Sequence, residues 1–344
     1  MLIKGLTREE LDECLQRFAL PRYRVDQIWS WLYQKAAVSW DEMTNLPLSL
    51  RQDLAAAGFT LSGLHVVDKV TASDGTIKYL FRLEDDTTIE SVFLPETDRN
   101  TVCLSTQAGC GMGCAFCATG QNGLTRNLTA GEIIDQPLYI GRLQQTHLSN
   151  LVMMGQGEPF SNYDAVLKAV RLINDPAGMG MGARHITIST CGVVPGILKL
   201  ADEPYQVNLA ISLHAVNDEL RSRLMPINRR YPLAELLESC RYYVAKTNRR
   251  ITFEYTMIAG VNDGQADLKG LLAALRGMLC HVNLIPLNPV PGSEWERSGK
   301  ARIREFEAAL NQAGIETTVR KERGSSLAAA CGQLQGKRGH DSRN

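Results

Sequence analysis

Three cysteines within eight residues, Cys110-Gly-Met-Gly-Cys114-Ala-Phe-Cys117, constrain this 344-residue chain more than any other feature. Thiols that close need a reason to converge, and a metal is the usual one. The other six, Cys14, Cys103, Cys191, Cys240, Cys280 and Cys331, are scattered, and an odd total of nine argues against a disulfide scaffold. Taken singly, each scattered cysteine reads as a small buried residue. A structural zinc site wants four ligands, commonly in two short pairs, and no second Cys-x-x-Cys or His-x-x-x-His follows, so zinc is the lesser alternative. Three thiolates can instead hold three irons of a 4Fe–4S cluster and leave the fourth iron open to another ligand. Gly111 and Gly113 allow a tight backbone wrap, and Phe116 can shield such a cluster from water.

The rest of the chain sets this loop in an α/β frame. Thr7-x-x-Glu10 is a capping box that opens an apolar stripe at Leu11, Cys14, Leu15 and Phe18, and a second helix is expected from Pro21. A helical unit thus covers 1–60. Trp29 and Trp31 on that second helix read as core before they read as a platform for bases. Ile77–Leu83 and Thr88–Leu94 flank Glu84-Asp-Asp-Thr87 as a hairpin, which places a β extension at 61–95. From about residue 100, six strand–loop–helix units recur, with strands expected at Thr101–Ser105, Asn150–Met154, His185–Thr190, Val207–Ser212, Ile251–Thr256 and His281–Pro286. The pattern predicts an open, partial parallel (β/α)6 barrel over 96–322, with function at the strand C-terminal ends, followed by a loop and tail at 323–344.

The motifs fall at those ends. The cysteine loop follows the first strand, Gly155-Gln-Gly157-Glu158-Pro159 follows the second, Ser189 closes the third, Ser212-Leu213-His214 the fourth, and Asn288 lies past the sixth. Any one of the Ser or Asn residues reads as turn chemistry. Together they form a pocket in which Gly157 allows close backbone approach, Glu158 accepts from an ammonium, and the hydroxyls and amide suit a ribose and a carboxylate. Those are the parts of S-adenosylmethionine.

A Cys-x-x-x-Cys-x-x-Cys loop with an aromatic before its last cysteine resembles the radical S-adenosylmethionine enzymes. Further segments narrow the resemblance: Tyr23-Arg-Val-Asp-Gln-Ile-Trp-Ser-Trp-Leu-Tyr33, Cys103-Leu-Ser-Thr-Gln-Ala-Gly-Cys110, Met154-Gly-Gln-Gly-Glu-Pro159, Leu224-Met-Pro-Ile-Asn-Arg-Arg-Tyr231, Asn288-Pro-Val-Pro-Gly292 and Ala329-Ala-Cys-Gly-Gln-Leu334. Nearly end to end, the sequence resembles the RlmN family of dual-specificity 23S rRNA and tRNA adenine-C2 methyltransferases, whose close relative is the Cfr-type C8 enzyme. The resemblance implies a 4Fe–4S cluster on Cys110, Cys114 and Cys117, with S-adenosylmethionine at Gly157, Glu158, Ser189, Ser212, Leu213, His214 and Asn288. It further implies that Cys331 is methylated and then attacks adenine C2 as a methylene radical. Glu90 would accept a proton, and Cys103 would resolve the adduct through a transient Cys103–Cys331 disulfide. C2 lies between two ring nitrogens and is electron-poor, so it cannot attack a methyl donor itself, which is why a radical is needed. Without the resemblance Glu90 reads as a solvated strand carboxylate and Cys331 as an ordinary tail cysteine. Where family members commonly carry acidic residues, this chain has Ser325-Ser-Leu-Ala328, which bears on substrate choice.

Thirty-seven basic and 37 acidic side chains cancel, so a polyanion must be held by local patches. Residues 219–250 carry eight basic side chains against three acidic, and 320–344 six against two, which makes both segments candidate phosphate tracks. The expected partners are 23S rRNA, tRNA and a flavodoxin-type electron donor, the expected state a monomer. With no apolar run near membrane-spanning length and no signal-peptide pattern at Met1–Glu10, the expected location is the cytoplasm, with no membrane contact. Competing readings are a Cfr-like C8 enzyme, a radical enzyme of another kind, and a non-catalytic, metal-stabilised RNA-binding module.

Overall fold

The computed structural model describes residues 1–288, 290, 293–321, 323 and 332–334. Three helices open the chain: α1 (Arg8–Leu15), α2 (Arg22–Tyr33) and α3 (Leu48–Ala56). The Thr7/Glu10 capping box starts α1 as expected. The inner face of α2 buries Val25, Ile28, Trp29, Leu32 and Tyr33. Trp29 is core, with its indole N–H donating to the Ala177 carbonyl at 2.8 Å. This unit is tied to the rest of the molecule by a fully buried ion pair, Lys4 Nζ to Asp135 Oδ1 at 2.6 Å, whose carboxylate also accepts from Ser62 Oγ and the Gly63 amide.

The strands β1 (His65–Thr71), β2 (Ile77–Arg82) and β3 (Thr88–Pro95) form an antiparallel meander. The β2–β3 hairpin lies where the sequence predicts it, whereas β1 was not foreseen. Next come β4 (Asn100–Cys103), β5 (Gln107–Gly109), α4 (Ala118–Gln121), β6 (Leu124–Asn127), α5 (Ala130–Gln144), β7 (Asn150–Met153), α6 (Tyr163–Asn174), β8 (Ile186–Thr190) and α7 (Val194–Asp202). The chain continues through β9 (Asn208–Ser212), α8 (Asp218–Leu224), α9 (Leu233–Thr247), β10 (Ile251–Met257), α10 (Gln265–Leu275), β11 (Cys280–Pro286), α11 (Lys300–Gln312) and β12 (Glu316–Val319).

Ten strands make one sheet in the order β1-β2-β3-β4-β7-β8-β9-β10-β11-β12. From β4 to β12 every pairing is parallel, so the six expected strands are present and a seventh, β12, extends them. β3 pairs antiparallel with β4, which makes the meander an edge extension of the parallel sheet. β1 and β12 end the order without pairing to each other, so the barrel is open. Helices cover the outer face, as parallel strands require. α5 starts at the Thr129/Glu132 capping box and buries all of its first nine residues. The chain after β12 crosses the opening: the Arg320 amide donates to the Leu284 carbonyl, and Arg323 bonds the Pro95 carbonyl and the Glu96 carboxylate. Among the described residues no helix is long and apolar enough to cross a membrane.

Candidate active site

The cysteine loop is held at its neck, tip and base. β5 and β6 pair antiparallel to close the neck, and the Cys110 amide donates to the Gly123 carbonyl at 2.8 Å. At the tip, the Ala115 amide donates to the Leu224 carbonyl at the end of α8. The base turns through the Cys117 amide to the Cys114 carbonyl at 3.1 Å. Cys110, Cys114 and Cys117 all line one cavity of about 160 Å³. Around it pack Met112, Phe116, Leu224, Met225, Ile258 and Leu287. That apolar surround pushes the Cys110 thiol up to about 11 and the Cys114 thiol higher still, so thiolates here need a cation beside them. Among the described residues no three His, Cys, Asp or Glu side chains converge as tightly as the ligands of a single ion. Three soft donors spread over one cavity wall suit a polynuclear iron–sulfur group, in which each thiolate binds its own metal atom.

The strand ends supply the opposite wall. Gly157, Glu158, Ser189, Ser212, His214 and Asn288 line the same cavity as the three cysteines, as their positions predict. Gly157 has φ +104, and a Cβ there would fall 2.6 Å from the Gln107 side chain, so the turn requires glycine. Gln107 in turn accepts the Glu158 amide at 2.8 Å. Glu158 is buried, which pushes its carboxyl up, and its oxygens accept the Cys191 amide at 2.7 Å and the Phe160 amide at 3.0 Å. It therefore braces the ends of β7 and β8 besides facing the cavity. Leu213, also expected here, is wholly buried in the core and is not among the residues lining the cavity.

His214 is the most constrained member. It sits in the left-handed region at φ +56, packs edge-on against Phe116 with ring centroids 4.7 Å apart, and accepts the Thr256 amide on Nδ1 at 2.9 Å. Burial lowers its pKa to about 3, so the ring is neutral and its proton lies on Nε2. Behind it lies Arg221, entirely buried, whose guanidinium donates to the carbonyls of Leu213, Cys191 and Ser212 and to Asn228 Oδ1. This clamps the ends of β8 and β9 together.

A second cavity, of about 670 Å³, adjoins the first and shares Cys117, Met154, Glu254, Asn288, Arg320 and Gly332 with it. Cys103, at the end of β4, lines this second cavity. Glu90 lines neither among the described residues, but it is buried on the face of β3 that also carries Val92 and Leu94, which do line the second cavity. Its carboxylate pairs with Lys78 Nζ at 2.9 Å, so it is no solvated strand residue. No disulfide joins the described cysteines. Cys331 and Ser325-Ser-Leu-Ala328 lie outside the described residues.

Sequence reasoning missed Glu254, a carboxylate in the middle of the otherwise apolar or hydroxylic strand Ile251–Met257, which was itself the available signal. It faces both cavities, and burial pushes its carboxyl up against the opposing pull of Arg320 at 3.6 Å. The phosphate-track reading also loses members. Arg221 is internal, Arg249 is tied to the Val207 carbonyl and Asn208, Arg250 pairs with Glu316, Arg320 faces Glu254, and Arg323 closes the barrel opening. Lys246 pairs with Asp202, whereas Arg223, Arg229, Arg230, Arg241 and Lys321 remain exposed; Lys337, Arg338 and Arg343 lie outside the described residues.

An open parallel barrel with three cysteines beside a strand-end pocket defines a class, and comparison with known proteins gives it: residues 104–272 match the radical SAM superfamily, so the core is a radical S-adenosylmethionine domain. Residues 2–58 match the ribosomal RNA large subunit methyltransferase N-terminal domain. A radical SAM methyltransferase from Sphaerobacter thermophilus superposes with a TM-score of 0.95 at 52% identity, covering 98% of this chain and all of that one. Relatives described as probable dual-specificity RNA methyltransferase RlmN include one from Thermoanaerobacter sp. (strain X514), 48% identical over 336 residues, covering 97% of this chain and 98% of its own. Another, from Moorella thermoacetica, is 50% identical over 342 residues, covering 97% and 96%. The chain belongs to the RlmN family of radical S-adenosylmethionine RNA methyltransferases. The family implies S-adenosylmethionine and a 4Fe–4S cluster as cofactors.

Proposed function

We propose that this protein methylates C2 of adenosine in 23S rRNA and in tRNA by way of an S-methylated Cys331. The bound cluster and S-adenosylmethionine would supply the methyl group and the one-electron chemistry, held by Cys110, Cys114 and Cys117 on one wall and by Glu158, Ser189, Ser212, His214 and Asn288 on the other. The His214 Nε2–H is a fixed neutral donor for a ribose or carboxylate oxygen. Glu158 presents its remaining acceptor capacity to an ammonium. The apolar lining excludes water from a reaction that water-borne quenching would spoil.

The observation that carries the reading is the placement of Cys103. Although it lies outside the cysteine loop, it shares the wall of the second cavity with Cys117 and with Gly332, the residue after Cys331. Once the adduct has lost its unpaired electron, which the cluster would accept, and Glu90 has taken the proton from C2, a Cys103 thiolate can attack the Cys331 sulfur; the sulfur–methylene bond breaks, the carbon leaves with the electron pair and takes up a proton to become the methyl group, and a Cys103–Cys331 disulfide forms. Restoring both thiols needs two electrons, which we assign to a flavodoxin-type donor. Burial of Glu90 on the cavity face of β3 supports its role, with Lys78 holding the carboxylate in place.

The test is mass spectrometry of nucleosides from rRNA and tRNA incubated anaerobically with the reconstituted protein, S-adenosylmethionine and reductant. 2-Methyladenosine with wild type and none with Cys331→Ala is the expected result. 8-Methyladenosine would move the target atom, and 5′-deoxyadenosine without methylated RNA would overturn the substrate.

A further inference from the structure

Residues 332–334, immediately after Cys331, are fastened to the cysteine loop by independent contacts. The Ala118 amide donates to the Gly332 carbonyl at 2.7 Å. The Thr119 hydroxyl donates to the Leu334 carbonyl at 2.7 Å. Leu334 is 4% exposed and packs in a small apolar nest with Val92 and Cys103, bordered by Leu94, Val152 and Met154. Gly332 adopts φ +81, a left-handed backbone that favours glycine, and a Cβ there would stand a tight 3.2 Å from the Phe116 carbonyl oxygen.

Ala118 and Thr119 directly follow Cys117, and Gly332 lines both cavities. Residues 332–334 are therefore held by the stretch of chain whose course the third cysteine sets, and by the nest that contains Cys103. Thr119 is itself buried, so removing its hydroxyl takes away the donor that fastens the Leu334 carbonyl to the cysteine loop.

We propose that Thr119 and Leu334 are positioning residues, which hold the chain beside Cys331 against the cysteine loop and so couple presentation of that thiol to the folded state of the loop. The inference rests on the role given to Cys331 above. Neither residue touches the reacting atoms, and each acts through residues 332–334.

Hydrogen exchange of the intact, cluster-loaded protein, read by mass spectrometry on the peptide containing Gln333 and Leu334, tests the anchor directly. In Thr119→Val and in Leu334→Ala that peptide is expected to exchange about tenfold faster, the loss of one buried contact's worth of protection, while Thr119→Ser restores the wild-type rate. The same two variants are expected to raise the ratio of 5′-deoxyadenosine to methylated adenosine several-fold, since radical chemistry then proceeds with the thiol poorly presented. Wild-type exchange and an unchanged ratio in both Thr119→Val and Leu334→Ala would overturn the proposal. Should Thr119→Val fail to fold, Leu334→Ala decides it. If wild type itself methylates no adenosine, the functional reading fails, and the exchange rates still decide whether the anchor exists.

Discussion

His214 carries a pH dependence that belongs to a single residue. Its folded pKa, about 3, lies below the ordinary histidine value because the ring is buried and faces the field of Arg221. An unfolded chain protonates this ring below about pH 6.5 while the native protein does not, so the contribution is full above that pH and is lost as pH falls toward 3. In urea titrations the wild type is expected to lose up to about 1.4 kcal/mol per pH unit from this group in that window. His214→Asn, which the left-handed backbone tolerates, should flatten the profile by that amount; parallel profiles would contradict it. The Ser-Leu-His motif announced His214 as a cavity residue. Its neutral form and tautomer were not legible, because burial and Arg221 keep the ring neutral and the Thr256 amide, 42 residues away, fixes its proton on Nε2. Arg221 shows the same limit from the other side: in sequence it is one more arginine in a basic stretch, and only the acceptors gathered around it make it internal.

At the scale of elements, the Lys4–Asp135 pair decides how the N-terminal helices sit on α5. Asp135→Ala leaves a wholly buried ammonium without its counter-charge, and urea unfolding should register a loss of about 3–5 kcal/mol. Lys4→Met combined with Asp135→Leu should recover much of it; a single variant within 0.5 kcal/mol of wild type would contradict the assignment. The elements that sequence foretold are those with strong local signals: the Thr7/Glu10 capping box, the β2–β3 hairpin and the six apolar strands. β1 escaped because it is an exposed edge strand whose residues show no buried alternation. β5 and β6 escaped because three or four residues rich in glycine and polar side chains become strands only by pairing across the cysteine loop. β12 is four residues long and takes its identity from β11.

Over the whole molecule, a chain of zero net charge carries exposed arginines on many elements; Arg223, Arg229 and Arg230 lie in and just after α8, whose last residue, Leu224, holds the tip of the cysteine loop through its carbonyl. If these three contact RNA phosphates, replacing them together by Gln should weaken binding of all RNA sequences alike and lower the slope of log affinity against log salt by about 2. An unchanged slope would place the RNA on another face. The proposed function stands on Cys103, which lines the second cavity, acting as the resolving thiol for Cys331, and that resolving step separates it from every other use of the same fold. The direct measurement is denaturing electrophoresis of Cys103→Ala after anaerobic incubation with RNA, S-adenosylmethionine and reductant. A protein–RNA species that survives denaturation and disappears in Cys103→Ala/Cys331→Ala is the result expected. Free release of methylated RNA from Cys103→Ala at the wild-type rate would contradict it.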